Sequence, residues 1–129
     1  MKKRVYLAGG INGLSDAACN DWRIQAKGLL SNFETLDPMA RDYRGKEDSN
    51  FTDIVEGDLA DIRQSAALLV NGTRPSWGTA MEIVYAFGKV PVIAFVPAGT
   101  PVSPWLRYHA FVVSSLEEAC EHLHAAVLS

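Results

Sequence analysis

Two carboxylates of this sequence stand among apolar residues, where a charge is unusual. Asp58 falls between Ile54 and Ile62 when the segment is projected onto a helix at about 100° per residue. Glu82 is the single charged residue of the run 75–88. Burial raises the pKa of a carboxyl, so Asp58 is a candidate proton donor near neutral pH. A carboxylate kept ionised in an apolar site, as at Glu82, is a candidate nucleophile.

Both carboxylates also have a structural interpretation. Asp58 can be a helix cap or the partner of an inward-facing salt bridge, and spacing alone leaves its two interpretations equal. Thr79 and Glu82 have the spacing of a capping box, in which the Glu82 carboxylate accepts a hydrogen bond from an unpaired backbone N–H. The alternative is that Glu82 lies in the first turn and the helix N-terminus keeps it ionised, as a nucleophile requires. For Glu82, spacing alone favours the cap.

Short apolar runs and amphipathic segments alternate along the chain, and this pattern must position the two acids. Gly9 and Gly10 end the first apolar run and predict a tight loop, and Ser15 begins a helix. The alternation predicts one α/β domain over residues 1–129, an open five-stranded parallel sheet with helices on both faces. The predicted strands are 4–8, 33–36, 66–70, 91–96 and 108–113, and the predicted helices are 15–29, 51–64, 78–87 and 115–127.

The carboxyl ends of parallel strands form one edge of such a sheet, and ligands of open α/β proteins bind there. The first glycine loop, the segment 71–78 and the start of the Glu82 helix should meet at this edge. We therefore expect Asp58 and Glu82 to line one cleft. Two carboxyls about 5 Å apart beside an anomeric carbon support double-displacement glycosyl chemistry. The polar stretch 39–50 is long for a loop and is interpreted as a candidate lid.

Composition excludes several classes of protein. The 129 residues carry 12 lysines and arginines against 15 acids, which gives no basic surface for a nucleic-acid polymer or an anionic membrane. Cys19 and Cys120 have neither disulfide nor zinc spacing, and the three histidines lack a ligand pattern, so we expect no metal and no cofactor. No stretch fits a signal peptide or a membrane span. The expectation is a cytoplasmic protein that binds a small molecule.

Three segments resemble the nucleoside 2-deoxyribosyltransferase superfamily: YLAGGI at 6–11, GDLADI at 57–62 and PSWGTAMEIVYA at 75–86. The resemblance covers nearly the whole chain, and the last segment is its most specific part. The family consists of flavodoxin-like (Rossmann-like) enzymes that cleave the N-glycosidic bond of deoxynucleosides or their monophosphates. The resemblance implies that Glu82 is the nucleophile at C1′, that Tyr6 positions its carboxylate and that Asp58 handles the proton of the departing base. It therefore reverses the preference for a cap at Glu82.

The position six residues before Glu82 separates two branches of the family. Enzymes that exchange bases on free nucleosides usually carry an Asp there, whereas Ser76 resembles the branch that hydrolyses 2′-deoxynucleoside 5′-monophosphates. A hydroxyl at a helix N-terminus accommodates a 5′-phosphate that a carboxylate would repel. In that branch the first glycine loop also holds phosphate, although Gly10 and Asn12 stand where the branch tends to have Ser and Arg. The residues that the resemblance assigns to substrate binding are Gly9, Gly10, Ile11, Asn12, Ser76, Gly78 and Ser103.

The resemblance thus implies an N-glycosidase that acts on (2′-deoxy)nucleoside 5′-monophosphates through a covalent intermediate on Glu82. The alternative within the family is a deoxyribosyltransferase that passes the sugar to a second base instead of water. An alternative of another class is a non-catalytic nucleotide sensor. A dinucleotide-binding loop at 9–13 is disfavoured because its glycine spacing fails. The resemblance further implies a homodimer or higher homo-oligomer, in which Ser103 completes the site of the neighbouring subunit.

Overall fold

Strands and helices alternate along residues 2–128, the part of the chain that the computed structural model describes. None of the helices in this part combines the length and hydrophobicity needed to cross a membrane. The strands are β1 (Arg4–Ala8), β2 (Glu34–Leu36), β3 (Ala67–Asn71), β4 (Val92–Phe95) and β5 (Phe111–Val113). The helices are α1 (Asp16–Leu29), α2 (Glu47–Arg63), α3 (Trp77–Ala86), α4 (Pro104–His109) and α5 (Leu116–Leu128), with a 3₁₀ turn at Pro38–Ala40.

The five strands form one parallel sheet in the order β2-β1-β3-β4-β5. Val5 of β1 pairs with Ala67 of β3, and Leu68 of β3 pairs with Val92 of β4. This is the flavodoxin-like order, which leaves a crevice at the carboxyl ends of β1 and β3, where the winding reverses. The predicted α/β fold with five parallel strands is confirmed.

Helices cover both faces of the sheet. α1 and α5 pack on the face that carries Val5 and Leu7, whereas α2, α3 and α4 pack on the face that carries Tyr6 and Ala8. Alternate residues of a strand point to opposite faces, so β1 is apolar and buried on both. Tyr6 therefore lies under the helices that carry Asp58 and Glu82.

Helix α2 begins earlier than the sequence pattern predicts. It starts at Glu47, and a kink with non-helical backbone angles interrupts it at Asn50 (φ −126°, ψ 17°). Glu47 and Asp48 lie in its first turn, where carboxylates interact favourably with the helix dipole. The irregular segment is limited to 41–46, because residues 39–40 belong to the 3₁₀ turn and residues 47–50 belong to α2. The loop predicted at 39–50, which is interpreted as a candidate lid, is therefore too long.

The apolar stripe of α2 is less buried than its spacing predicts. Phe51 and Val55 are 66% and 51% exposed, whereas Ile62 is buried in the core. Asp58 consequently lies at the edge of a cleft, with its side chain 21% exposed, rather than beneath a continuous apolar face. The prediction that this apolar stripe is buried is therefore wrong for Phe51 and Val55.

A short helix precedes β5 where the sequence pattern predicts strand. Tyr108 and His109 belong to the last turn of α4, so the strand predicted at 108–113 is limited to Phe111–Val113. Proline at the first position of a helix is tolerated, as Pro104 is here. Ser103 is the N-cap, and its hydroxyl accepts a hydrogen bond of 3.1 Å from the N–H of Trp105.

Candidate active site

A cleft of about 190 Å³ opens at the carboxyl ends of β1, β2 and β3. Its walls are the loops that follow these strands, together with α2 and α3. We call it the Glu82 cleft. Gly10 lies beside it, since a Cβ built on Gly10 would be 3.8 Å from the Cβ of Ser76. The predicted site residues that line the cleft are Gly9, Ile11, Asn12, Asp58, Ser76, Gly78 and Glu82.

Tyr6 contacts Glu82, which lines this cleft. The hydroxyl of Tyr6, a fully buried side chain of β1, donates a hydrogen bond of 2.5 Å to Oε2 of Glu82. Ile83 and Ala86 of α3 are buried against the sheet, and this packing keeps the preceding Glu82 at the end of β1. The structure thus brings together the two residues that the resemblance pairs.

The capping box predicted at Thr79 is wrong. α3 begins at Trp77 with Ser76 as its N-cap, so Thr79 is the third helical residue, and its side chain is buried. Glu82 lies in the second turn, and its carboxylate accepts a hydrogen bond from Tyr6 rather than from a backbone N–H. The helix N-terminus is too distant to keep Glu82 ionised, because the dipole acts within the first turn.

The Glu82 carboxyl keeps its proton to higher pH than a glutamate in water. Burial raises its pKa to about 7. The hydrogen bond from Tyr6 and the positive charge of Arg23 lower the pKa, whereas the negative charge of Asp58 raises it. Carboxyls with such strongly perturbed pKa values gather at functional sites, which makes Glu82 the leading candidate for a reacting group.

Asp58 faces the same cleft from α2. Burial raises its pKa, and the guanidinium of Arg41, whose Nη2 lies 3.4 Å from Oδ1 of Asp58, opposes this rise. The net result is a carboxyl that keeps its proton to higher pH than an aspartate in water. The negative charge of Asp58 in turn raises the pKa of Glu82, so the protonation of Glu82 depends on Asp58.

Arg23 is a part of the site that the sequence analysis does not identify. Its side chain is fully buried. Its Nη1 donates a hydrogen bond of 2.6 Å to the carbonyl of Cys19, and its Nη2 donates one of 3.2 Å to the carbonyl of Gly9. Its Nε lies 3.4 Å from Oδ1 of Asp37. Arg23 therefore ties α1 to the ends of β1 and β2, where the cleft opens.

The buried cation also acts on the two acids. It lowers the pKa of both Glu82 and Asp58, and so partly offsets the cost of ionising them away from water. The sequence does contain a signal for it. Arg23 lies four residues after Cys19 and three residues before Ala26, and both of these residues are buried. This spacing places Arg23 on the apolar stripe of α1.

Packing explains the glycine at the start of the first loop. A Cβ on Gly9 would lie 2.8 Å from Cζ2 of Trp22 and 3.3 Å from the Cβ of Asn71. Further along, Gly13 has a φ of +78°, a conformation that favours glycine. The loop therefore turns tightly between β1 and α1, and Gly9 and Asn12 reach the Glu82 cleft.

Ser103 lies outside the Glu82 cleft of its own chain. It lines a larger cavity of about 580 Å³ beside α3 and α4, and Ser76 belongs to the lining of both spaces. Trp77 and Trp105, which are 85% and 77% exposed, line this larger cavity too. The predicted role of Ser103 in the site of a neighbouring subunit stays a prediction.

The chain is similar to solved structures in its fold. No protein-family model and no curated protein sequence matches it. A conserved protein from Enterococcus faecalis V583 superposes with a TM-score of 0.74 at 18% identity, covering 97% of this chain and 99% of the other. The Francisella novicida lysine decarboxylase LdcF superposes with a TM-score of 0.55 at 13% identity, over 98% of this chain and 17% of its own. These likenesses show a shared α/β fold.

Proposed function

We propose that this protein is an N-glycosidase that hydrolyses the bond between base and sugar in (2′-deoxy)nucleoside 5′-monophosphates. The observation that carries the proposal is a pair of carboxyls with raised pKa, Glu82 and Asp58, in one cleft at the carboxyl end of the sheet. Tyr6 orients the first of them through its hydrogen bond. The resemblance to the nucleoside 2-deoxyribosyltransferase superfamily supplies the substrate class.

In the first step, ionised Glu82 attacks C1′ of the sugar. The bond between C1′ and the base nitrogen breaks, its electron pair leaves with the base, and Asp58 donates a proton to the departing base. The products are a glycosyl ester on Glu82 and the free base. Tyr6 holds the attacking carboxylate in one orientation, so little reorganisation is needed as the ester forms.

In the second step, water attacks C1′ of the ester. Asp58, now ionised, accepts a proton from this water, the bond from C1′ to Glu82 breaks, and the sugar phosphate leaves. Asp58 therefore changes protonation state in each half-reaction. Its raised pKa suits this role, because it exchanges a proton closer to neutral pH than an ordinary aspartate does.

The 5′-phosphate is assigned to the segment between β3 and α3. Ser76 is the N-cap of α3, and its hydroxyl makes no capping hydrogen bond to the described residues, so it can bind a ligand. Backbone N–H groups at the start of a helix favour an anion, and Gly78 adds no side chain there. A hydroxyl rather than a carboxylate at position 76 supports a monophosphate as the substrate.

The activity is tested by incubating the purified protein with a panel of deoxynucleoside and ribonucleoside monophosphates and measuring the released base. We expect release of base together with sugar phosphate. A repeat with a foreign free base separates hydrolysis from base exchange, because a new nucleotide product would overturn the hydrolase assignment. Tight nucleotide binding without release of base from any member of the panel would favour a nucleotide sensor.

We also propose that the protein works as a homodimer. Trp77, Met81 and Val84 follow one face of α3 at spacings of four and three residues and are 85%, 64% and 58% exposed. Trp105 and Tyr108 of the adjoining α4 are 77% and 74% exposed. Exposed apolar side chains gathered in this way mark an interaction surface, and a second copy of the chain would cover it.

Light scattering coupled to size-exclusion chromatography measures the oligomeric state. We expect twice the mass of the chain for the wild type and a monomer for Met81→Lys. If Ser103 serves the site of the partner, the monomer should also lose affinity for monophosphates. A wild-type protein that is monomeric and fully active at the assay concentration would contradict the dimer proposal.

A further inference from the structure

Arg41, the first residue of the irregular segment 41–46, forms ion pairs with two carboxylates of α2. Its Nη2 lies 2.7 Å from Oδ2 of Asp61 and 3.4 Å from Oδ1 of Asp58. Asp58 and Asp61 are three residues apart and therefore neighbours on the helix surface. Arg41 thus joins the irregular segment to α2 at the carboxyl that the proposed mechanism uses as proton donor.

Gly57 provides the space in which this guanidinium lies. A Cβ on Gly57 would be 3.0 Å from Nε of Arg41 and 3.2 Å from its Nη2, closer than side-chain carbons normally approach. Glycine in the interior of a helix is destabilising relative to alanine. Because residue 57 has no side chain, the guanidinium of Arg41 can lie against the backbone of α2 at this position.

The contact between Arg41 and Asp58 belongs to the Glu82 cleft, because both residues line it. Arg44 of the same segment also lines the cleft, but it is paired with Asp42 and Asp16. Of the two arginines, Arg41 is the one that contacts the reacting carboxyl.

We propose that Arg41 is a positioning residue that holds the Asp58 carboxyl in place and controls when it carries its proton, with Gly57 and Asp61 fixing the guanidinium. The inference rests on the proposed function, in which Asp58 first donates a proton and then accepts one. A cation beside Asp58 lowers the fraction of Asp58 that carries a proton before the first transfer, and it stabilises the carboxylate that this transfer forms and the second transfer uses. Arg41 therefore sets the balance between the two half-reactions.

Several elements around Asp58 contribute charged or titratable groups. Arg23 of α1 lowers the pKa of Asp58, as Arg41 does, whereas burial and Asp61 raise it. Arg23 is fully enclosed, but the Arg41 side chain is 38% exposed and can be replaced without opening the core. The other such groups around the cleft are Tyr6 of β1, Glu82 of α3, Glu47 of α2, and Asp42, Tyr43 and Arg44 of the segment 41–46.

The test is a titration of the Asp58 side-chain carboxyl by ¹³C NMR in the free protein. Arg41→Met removes the cation, so the pKa of Asp58 should rise by about one unit, a tenfold change in its proton affinity. Gly57→Ala changes no charge but displaces the guanidinium, so the pKa should move in the same direction. Gly28→Ala in α1 is the matched control and should leave the pKa unchanged, because no described atom lies within 4 Å of a Cβ built there.

The same variants are assayed for release of base as a function of pH. In Arg41→Met, the limb of the kcat/KM profile that reports Asp58 should move to higher pH with the pKa of Asp58, and Arg41→Lys should move it part of the way back. The inference is overturned if Asp58 titrates as in the wild type in both Arg41→Met and Gly57→Ala, or if its pKa moves and neither limb of the kcat/KM profile does. A wild-type protein that releases no base would overturn the proposed function instead, while the titration still decides whether Arg41 controls the proton of Asp58.

Discussion

The hydroxyl of Tyr6 donates a hydrogen bond of 2.5 Å to Oε2 of Glu82, a residue 76 positions later in the chain. The contact exists because β1 lies inside the sheet and α3 packs on the face that carries Tyr6. It opposes the effect of burial, which raises the pKa of Glu82. The reactivity of this carboxylate therefore depends on a phenol that reaches it only in the folded chain.

The pH profile of activity should report the titration of Glu82. Its pKa is about 7, so the kcat/KM profile should show a limb near that pH. Tyr6→Phe removes a hydrogen bond that stabilises the ionised form, so the pKa should rise and the limb should move to higher pH by up to about one unit. Tyr85→Phe, at a tyrosine of α3 that bonds to Arg63, is the control and should leave the limb in place. A shift to lower pH would contradict the direction assigned to the Tyr6 hydrogen bond.

Glu82→Gln should abolish turnover and leave nucleotide affinity largely intact, because the amide keeps the shape and loses the nucleophile. Glu121→Gln, on an exposed position of α5, is the control for loss of a carboxylate and should retain full activity. Released base and isothermal titration calorimetry measure the two quantities. Activity of Glu82→Gln within about tenfold of the wild type would exclude Glu82 as the nucleophile, since loss of a covalent nucleophile should cost several orders of magnitude.

Asp58→Asn should slow the reaction most for bases that are poor leaving groups. Such bases depend on proton donation as the glycosidic bond breaks, whereas good leaving groups depart with little help. Rates measured for a series of monophosphates with bases of graded basicity check this expectation. If the loss is uniform across the series, Asp58 does not act as the proton donor.

Ser76→Asp should shift preference from the monophosphate toward the free nucleoside. A carboxylate about 4 Å from a phosphate costs about 4 kcal/mol per pair of unit charges at an effective dielectric constant of about 20. After solvent screening, the ratio of kcat/KM for the nucleotide to that for its nucleoside should still fall at least about tenfold. Thr73→Asp adds the same charge to the same loop outside the Glu82 cleft and should change the ratio less. An unchanged ratio in Ser76→Asp would place the phosphate elsewhere.

Gly9→Ala should destabilise the protein, whereas Gly78→Ala should not. The added methyl at Gly9 meets Trp22 at 2.8 Å, and overpacking of this kind costs about 1–3 kcal/mol. At Gly78, in the first turn of α3, no described atom lies within 4 Å of a new Cβ, and alanine favours the helix. Urea denaturation measures the free energy of unfolding of both variants. Equal stabilities would show that Trp22 moves aside at no cost.

Local patterns in the sequence are enough to predict most of the elements. β1 occupies Arg4–Ala8 as predicted, and Ser15 caps α1 by accepting a hydrogen bond of 3.2 Å from the N–H of Ala18. Apolar periodicity and capping side chains act over a few positions, so a sequence displays them directly. The meeting of Asp58 and Glu82 in one cleft is predictable for a related reason, because the strand ends of a parallel sheet share one edge.

Burial and protonation depend on residues that are distant in the chain. The spacing of Phe51 and Val55 predicts burial, yet both are exposed, whereas Arg23 is enclosed on all sides. Spacing shows which side chains share a helix face, and only the packed elements show whether another element covers that face. The pKa of Glu82 likewise combines burial in α3 with a phenol from β1, a guanidinium from α1 and a carboxylate from α2. The sequence alone therefore indicates that Asp58 and Glu82 share one cleft. The tertiary structure decides at what pH each of them carries its proton, because electrostatic interactions act through space between groups that only the folded sheet brings together.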